Sequence, residues 1–434
     1  MAGRRNIAWA CILWPLAAGR WVLGLEGVPW IARSTFRYDL LSSFFAAIGA
    51  GAMLPQLTSQ FARRDLHCSE WTVAMLISMS ALGNFLATFF SRYLARERRV
   101  QAMAYSRMGI GLFLACLALL PTGPEALGAF VALLIVPYLL GSIVLNTQTN
   151  VRHSNYPEAQ RSGIFSRLSM VEMATLACSA MLAGAAMDRW AWGHRLVFGV
   201  GAAAMLLSAR FNLRLRHRQE RALLRDGHSR PIGFWSGFRL LREDRAYGVF
   251  MGWQMLFGTA NIMVSPVLTL VMTNYLGVSY AKGMTALMLV PIAVMVLSAP
   301  LAGRLMDRLH VTRFRSISSS LWALSRVLVY FAVVANSWTM VLGAFAVQGI
   351  AQAMGNMAFN LGHMQFTSPR RSQDYMAIHQ TLQGIRGLAA PLLGIALLRL
   401  PGVGLGMLLI GAGVMFLAAA GFYFSPPPDR ADND

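Results

Sequence analysis

The chain of 434 residues contains one lysine, Lys282, and 18 acidic residues against 38 Lys and Arg. Charged residues make up 13% of it, about half the share usual in soluble domains, which excludes a water-exposed globular surface. The four cysteines, Cys11, Cys68, Cys116 and Cys178, show no CxxC spacing. Neither a disulfide framework nor a metal centre is therefore expected. No Walker-type or Gly-x-Gly-x-x-Gly phosphate loop, His-x-Glu or Gly-x-Ser-x-Gly stands in a suitable context, so the chain is expected to be neither an enzyme nor an ATP-driven pump, and no cofactor is implied. A net charge of +20 would suggest nucleic acid in a soluble protein, but no basic tract is interleaved with stacking aromatics. Nucleic acid is not an expected partner.

What is present is apolar length. Hydrophobic residues make up 56% of the chain and the mean hydropathy is +0.50. A bilayer core needs about 20 apolar residues of helix, and hydropathy places such runs near 40–60, 71–90, 103–121, 126–147, 164–187 and 196–211, then 248–272, 284–303, 317–335, 338–362, 377–397 and 402–424. The lipid bilayer is thus the first partner.

The runs repeat. Pro55 and Pro266 lie 211 positions apart (266 − 55), Pro157 and Pro369 lie 212 apart (369 − 157), and Ser91 to Arg96 faces Gly303 to Arg308 at 212 (303 − 91). A parallel duplication of that size in an apolar chain is a recurring plan of transporters. The expected organisation is an N-terminal interfacial segment at 1–37, a six-helix bundle at 38–211, a cytoplasmic connector at 212–246, a second six-helix bundle at 247–425 and a polar tail at 426–434. Arginines at 92, 96, 98, 99, 152, 161, 167, 304, 308, 313, 315, 370 and 371 read as one cytoplasmic side. Both termini then lie on that side of an inner or plasma membrane. Residues 5–36 carry Trp9, Trp14, Trp21 and Trp30 but are broken by Pro15, Arg20 and Glu26, which suits an interfacial helix, with a cleaved signal as the alternative.

The loop at Gly303 carries a resemblance. Gly303, Asp307 and Arg308, followed by Arg313, match the Gly-x-x-x-Asp-Arg-x-x-x-x-Arg signature of major facilitator superfamily transporters. The resemblance implies an all-α membrane protein of twelve transmembrane helices in two pseudo-symmetric six-helix bundles around a central cavity. It also implies a gating role for Gly303, Asp307, Arg308 and Arg313, with Asp307 latching near Arg161 or Gly163 when the cavity faces outward. The first-half copy departs from the pattern, with Ser91 for the glycine and Ala95 for the aspartate.

Gln348, Gln352, Asn356 and Asn360 recur every four positions in span ten, along about 18 Å of helix. Asn146 and Asn150 form a shorter stripe in span four with Gln148 turned away, and Gln254 and Asn261 share a face of span seven. In the superfamily these spans line the cavity, so these amides are the expected substrate contacts. Hydrogen bonds between helices are the alternative use. Glu172 and Arg386 lie about 13 Å inside their spans, where a charge is expensive unless paired. Glu172 is the expected proton-coupling group, and Arg386 either a substrate contact or the partner of Glu172. His363 and His379 stand at helix ends, and Asp39 is expected to cap or orient span one. Secondary transport of a small solute follows, with proton-coupled efflux of a small organic molecule by an antiporter as the first reading. Uptake of a polar metabolite such as a sugar or organic anion is the second, and a non-transporting sensor or scaffold the third.

Overall fold

In hydrocarbon every backbone N–H and C=O has to be satisfied within the chain, and a single apolar segment does this only as a helix. The computed structural model describes residues 28–94, 99–156, 158–215, 234–366 and 372–425, and among them there is no strand. The first half contains α1 (Arg33–Ala52), α2 (Pro55–Arg64), α3 (Glu70–Leu94), α4 (Arg99–Ala118), α5 (Leu127–Asn155), α6 (Glu158–Arg189) and α7 (Gly193–Asn212). After α8 (Phe234–Glu243) come α9 (Arg245–Leu270), α10 (Tyr280–Met284), α11 (Val290–Arg308), α12 (Val311–Val334), α13 (Trp338–Leu361), α14 (Ser372–Leu398) and α15 (Met407–Phe424). Nine stretches among the described residues are long and apolar enough to cross a membrane. They leave out α3, α7 and α13, the helices at expected spans two, six and ten. The protein is a multi-pass helical membrane protein.

Several boundaries differ from the hydropathy reading for one reason. A helix does not stop where its residues become polar if those residues have partners. The first span begins at Arg33, so the proposed interfacial segment cannot extend to residue 37; residues 1–27 lie outside the described ones. The fourth span runs on to Asn155, and the fifth begins at Glu158. Arg152, Arg167 and Arg315, read above as loop residues marking a membrane side, are consequently inside helices and buried.

The first span is broken between Ala52 and Pro55. Proline lacks the N–H that the first turn of α2 leaves unused anyway, and the carbonyl of Met53 released by the break accepts from the Tyr138 hydroxyl at 2.9 Å. In the second half, π-helical turns at Val271–Tyr275 and Thr285–Leu289 flank the corresponding end of spans seven and eight.

Helix neighbours repeat between halves as the 212-residue offset requires. Within the first half α4 packs on α5 and α7, and α1 on α6 and α7. In the second half α12 packs on α13 and α15, and α9 on α14 and α15. Across the interface α3 meets α14 while α6 meets α10 and α11, two contacts that interchange when the halves are swapped. At the α3–α14 crossing a side chain on Gly384 would come within 2.8 Å of the Phe85 backbone, and one on Gly387 would collide with Ala81. Glycine is needed there for the two bodies to touch.

Candidate functional site

In the first half the helix ends described above bring a charged network together. Arg152 on α5 donates through Nε and Nη2 to the Asp39 carboxylate of α1 at 3.1 Å each, and through Nη2 to Glu172 of α6 at 2.6 Å and to the Ser43 hydroxyl at 2.6 Å. Tyr156 donates to Asp39 at 2.9 Å, and Gln148 donates to Glu172 at 3.2 Å. Arg107 of α4 donates to Gln148 at 3.3 Å, to the Ser208 hydroxyl of α7 at 2.6 Å, and to Ser42. Desolvating each ion costs several kcal/mol, which only a closely bonded counter-ion offsets. Here Asp39 and Glu172 offset Arg152 and Arg107.

Asp39 therefore does not cap its helix; it is buried at 4% exposure and bonded to Arg152. Glu172 is not a lone carboxylate, and its partner is Arg152 rather than Arg386. Its side chain keeps 26% exposure and lines a cavity of about 330 Å³ with Arg107, Tyr138, Gln148, Ser43 and Met173. Of the two carboxylates, Glu172 thus borders the cavity while Asp39 is enclosed.

The second half is different. Arg386 on α14 donates to the Gln254 backbone carbonyl at 2.7 Å, lying over Gly258, where any Cβ would collide with its guanidinium. Arg315 of α12 donates to the Gln254 side-chain oxygen at 2.8 Å, and Arg326 donates to the side-chain oxygens of Gln348 at 2.8 Å and Asn261 at 3.3 Å. Three of the expected substrate contacts, Gln254, Asn261 and Gln348, are thus held from behind by arginines of span nine.

The amide stripe of α13 does not keep one environment. A spacing of four residues drifts by about 40° at each step on a helix of 3.6 residues per turn. Gln348 accordingly turns into the bundle toward Arg326, Gln352 is half-buried, and Asn356 is exposed and donates to the Met295 sulphur at 3.3 Å. The side chains of Asn360, Asn146, Asn150 and His363 lie outside the described residues. His379 is buried against the Phe359 ring.

At the Gly303 loop, Asp307 and Arg308 are exposed at the end of α11, and Arg313 lies 5.8 Å from the Tyr423 ring centre. Asp307 has no hydrogen bond or ion pair among the described residues, and open space surrounds Gly163. The Arg161 side chain lies outside the described residues.

Polar contacts between the halves gather at the opposite end. Asp188, at the end of α6, accepts from the backbone N–H groups of Tyr280 at 2.8 Å and Ala281 at 2.7 Å. Tyr280 donates to Asp65, and Arg64 donates to the Val278 carbonyl. Arg63 reaches Asn274 at 3.3 Å, and Arg399 pairs with Glu70 at 3.0 Å. Cys68 sits beneath Arg63, and its burial pushes the thiol up to about 11. This end is closed, and a cavity of about 190 Å³ lined by Gln56, Ser80, Ser265 and Gln383 lies between the halves. The polar contacts between the halves thus lie, among the described residues, at the end opposite Asp307.

Sequence reasoning missed Arg107, Arg152, Arg315 and Arg326. The signal for Arg107 and Arg326 was present, because both fall inside the runs at 103–121 and 317–335. Arg152 and Arg315 carried no such signal, since hydropathy ended the helix before one and began it after the other.

Residues 250–434 match the family model of the Major Facilitator Superfamily. Among solved structures, a POT family transporter in complex with a thioalcohol-conjugated peptide aligns with a TM-score of 0.72 at 11% identity, covering 91% of this chain and 97% of that one. A POT family transporter in complex with 5-aminolevulinic acid gives 0.72 at 12%, covering 90% and 96%. The nucleoside transporter NupG gives 0.68 at 14%, covering 90% and 98%. At these identities the likeness is one of fold. No curated protein sequence matches the chain. The second half of the chain thus resembles the Major Facilitator Superfamily in sequence, and nine-tenths of its length has the fold of these transporters.

Proposed function

We propose that the protein is a proton-coupled secondary transporter that carries a small organic molecule by alternating access, out of the cell in exchange for protons. One observation carries this reading: Arg152 is shared by Asp39 and Glu172, and of the two carboxylates only Glu172 lines a cavity. A proton taken up by Glu172 removes one of the two charges that hold Arg152. It thereby loosens α6 from α5 and α1.

The same helix reaches the other half. About 24 Å along α6 from Glu172, at 1.5 Å per residue, Asp188 caps the start of α10. Protonation at one point of α6 and closure at its end are thus joined by a single rigid element, which is the physical requirement for coupling. Because Glu172 borders the space a solute would enter, proton and solute displace one another there, which favours exchange. Gly303, Asp307, Arg308 and Arg313 then serve as the gate at the opposite end. The amides Gln352 and Asn356, with Asn146, Asn150 and Asn360, serve as solute contacts alongside Gln254, Asn261, Gln348 and Arg386. The transporters aligned above are solved with a peptide conjugate or 5-aminolevulinic acid or named for nucleosides, which supports small-solute transport without selecting the solute.

The test uses purified protein in liposomes enclosing a pH dye, screened with small organic molecules for solute-driven proton movement. Wild-type protein is expected to move protons with its solute. Glu172→Gln is expected to bind solute yet lose at least about tenfold of the proton movement. Unchanged proton movement in that variant sinks the coupling role, and binding without flux in the wild type favours a sensor. Uptake of an organic anion is the second reading, favoured by the buried arginines of the second half.

A further inference from the structure

Between residues 247 and 425 the only acidic residues are Asp307 and Asp374, both outside the apolar runs. The second bundle nevertheless buries three guanidinium groups, Arg315, Arg326 and Arg386, at 5%, 2% and 7% exposure. Their partners are neutral throughout: the Gln254 side chain and backbone, Gln348, Asn261, and the rings of Phe257 and Trp322 at 4.5 and 5.0 Å. Among the described residues, the Nε atoms of Arg326 and Arg386 are buried with no acceptor. Amide dipoles and aromatic faces recover only part of the desolvation cost of a buried ion.

The hydrogen bonds also fix which way the amides face. Arg315 occupies the oxygen of Gln254, while Arg326 occupies the oxygens of both Gln348 and Asn261. An amide whose oxygen is taken by a cation presents its NH₂ group, and the cation polarises that group into a stronger donor. Among the described residues none of these three NH₂ groups donates to a protein acceptor. Gln254 and Gln348 are buried and Asn261 is half-buried, so these donors lie in the wall of the bundle, and donors backed by positive charge match a group that only accepts.

We propose that the face of the second bundle formed by Gln254, Asn261 and Gln348 binds an oxyanion, and that the transported solute carries a carboxylate or phosphate group held there. Arg315 and Arg326 are positioning residues: they orient the amides and, with Arg386, set the sign of the local field. The inference rests on the transport reading and holds for either direction of movement. It assigns to the second half the recognition of charge, and leaves proton binding to Glu172 in the first.

The local field is measured without knowing the solute. Gln352, half-buried one turn beyond Gln348 on α13, is replaced by cysteine in protein whose four native cysteines are serine. The introduced thiol is then treated with a negatively charged sulfonatoethyl and a positively charged trimethylammonioethyl thiosulfonate. After normalisation to their rates with free thiol in water, the anionic reagent is expected to react about tenfold faster, since a charged cleft concentrates counter-ions at least to that degree. Arg326→Gln or Arg386→Gln is expected to bring the ratio toward one, while Arg326→Lys keeps it. Two positions are tested so that a variant that fails to fold does not decide the result. Equal rates, or a faster cationic reagent, overturn the proposal. So does a thiol inert to both reagents, because the face would then be dry. None of these outcomes bears on proton movement by Glu172, which the liposome assay reads separately.

Discussion

Arg152→Ala is expected to destabilise the protein by about 3–5 kcal/mol, the cost of leaving buried carboxylates without their counter-ion. Both Asp39 and Glu172 lose their shared cation at once, and Asp39 is enclosed on all sides. Thermal melting of detergent-purified protein, followed by size-exclusion chromatography, gives the readout. The triple variant Asp39→Asn, Arg152→Met, Glu172→Gln removes every charge together and is expected to melt well above the single variant, since no ion is left uncompensated. Should the triple variant melt at or below Arg152→Ala, the network's stability comes from packing around the methylene stem of Arg152, and the charge argument fails.

Little in the sequence pointed to Arg152. Hydropathy closed the fourth span near residue 147, and an arginine five residues further on has the look of a loop residue. The helix continues to Asn155 because Asp39, Glu172 and Ser43 receive the guanidinium. Such a partnership joins residues more than a hundred positions apart, which no local window sees. The duplication, by contrast, was legible because proline and loop arginine keep their spacing through any rearrangement of side chains. The stripe from Gln348 to Asn360 was only half legible. Its spacing of four implied one face, but the helical drift carries its first member into the bundle and leaves the later ones more open. Glu172 was found as an embedded carboxylate, though the identity of its partner needed the fold.

Asp188→Ala is expected to release the closed end. It removes two charge-assisted hydrogen bonds that cross between halves to the start of α10, each worth about 1.5–3 kcal/mol. Because part of this returns as solvation in the open form, a net shift of ten- to a hundredfold toward opening at this end is expected, every 1.4 kcal/mol being a factor of ten. Cys68 reports it. The thiol is 1% exposed, lies under Arg63, and is pushed above its ordinary value by burial, so little of it is thiolate and alkylation of the wild type is slow. Loss of Asp188 should speed reaction with a water-soluble maleimide at least tenfold, and Tyr280→Phe, which removes the bond to Asp65, should do so more weakly. An unchanged rate in both variants means that apolar packing of α6 on α10 and α11 holds this end shut.

The contrast between the two bundles extends to how the bilayer's voltage acts on them. Near Arg152 the cations are met by carboxylates, whereas Arg315, Arg326 and Arg386 are not. A membrane potential of 100 mV does about 2.3 kcal/mol of work on each elementary charge moved across its whole depth. If one bundle rocks so that three uncancelled charges traverse even a tenth of that depth, the resting orientation shifts by about 0.7 kcal/mol. Vesicles holding the protein and no solute should then show a transient current after a voltage step, smaller in Arg326→Gln, and its absence would mean that these charges stay level as the halves move.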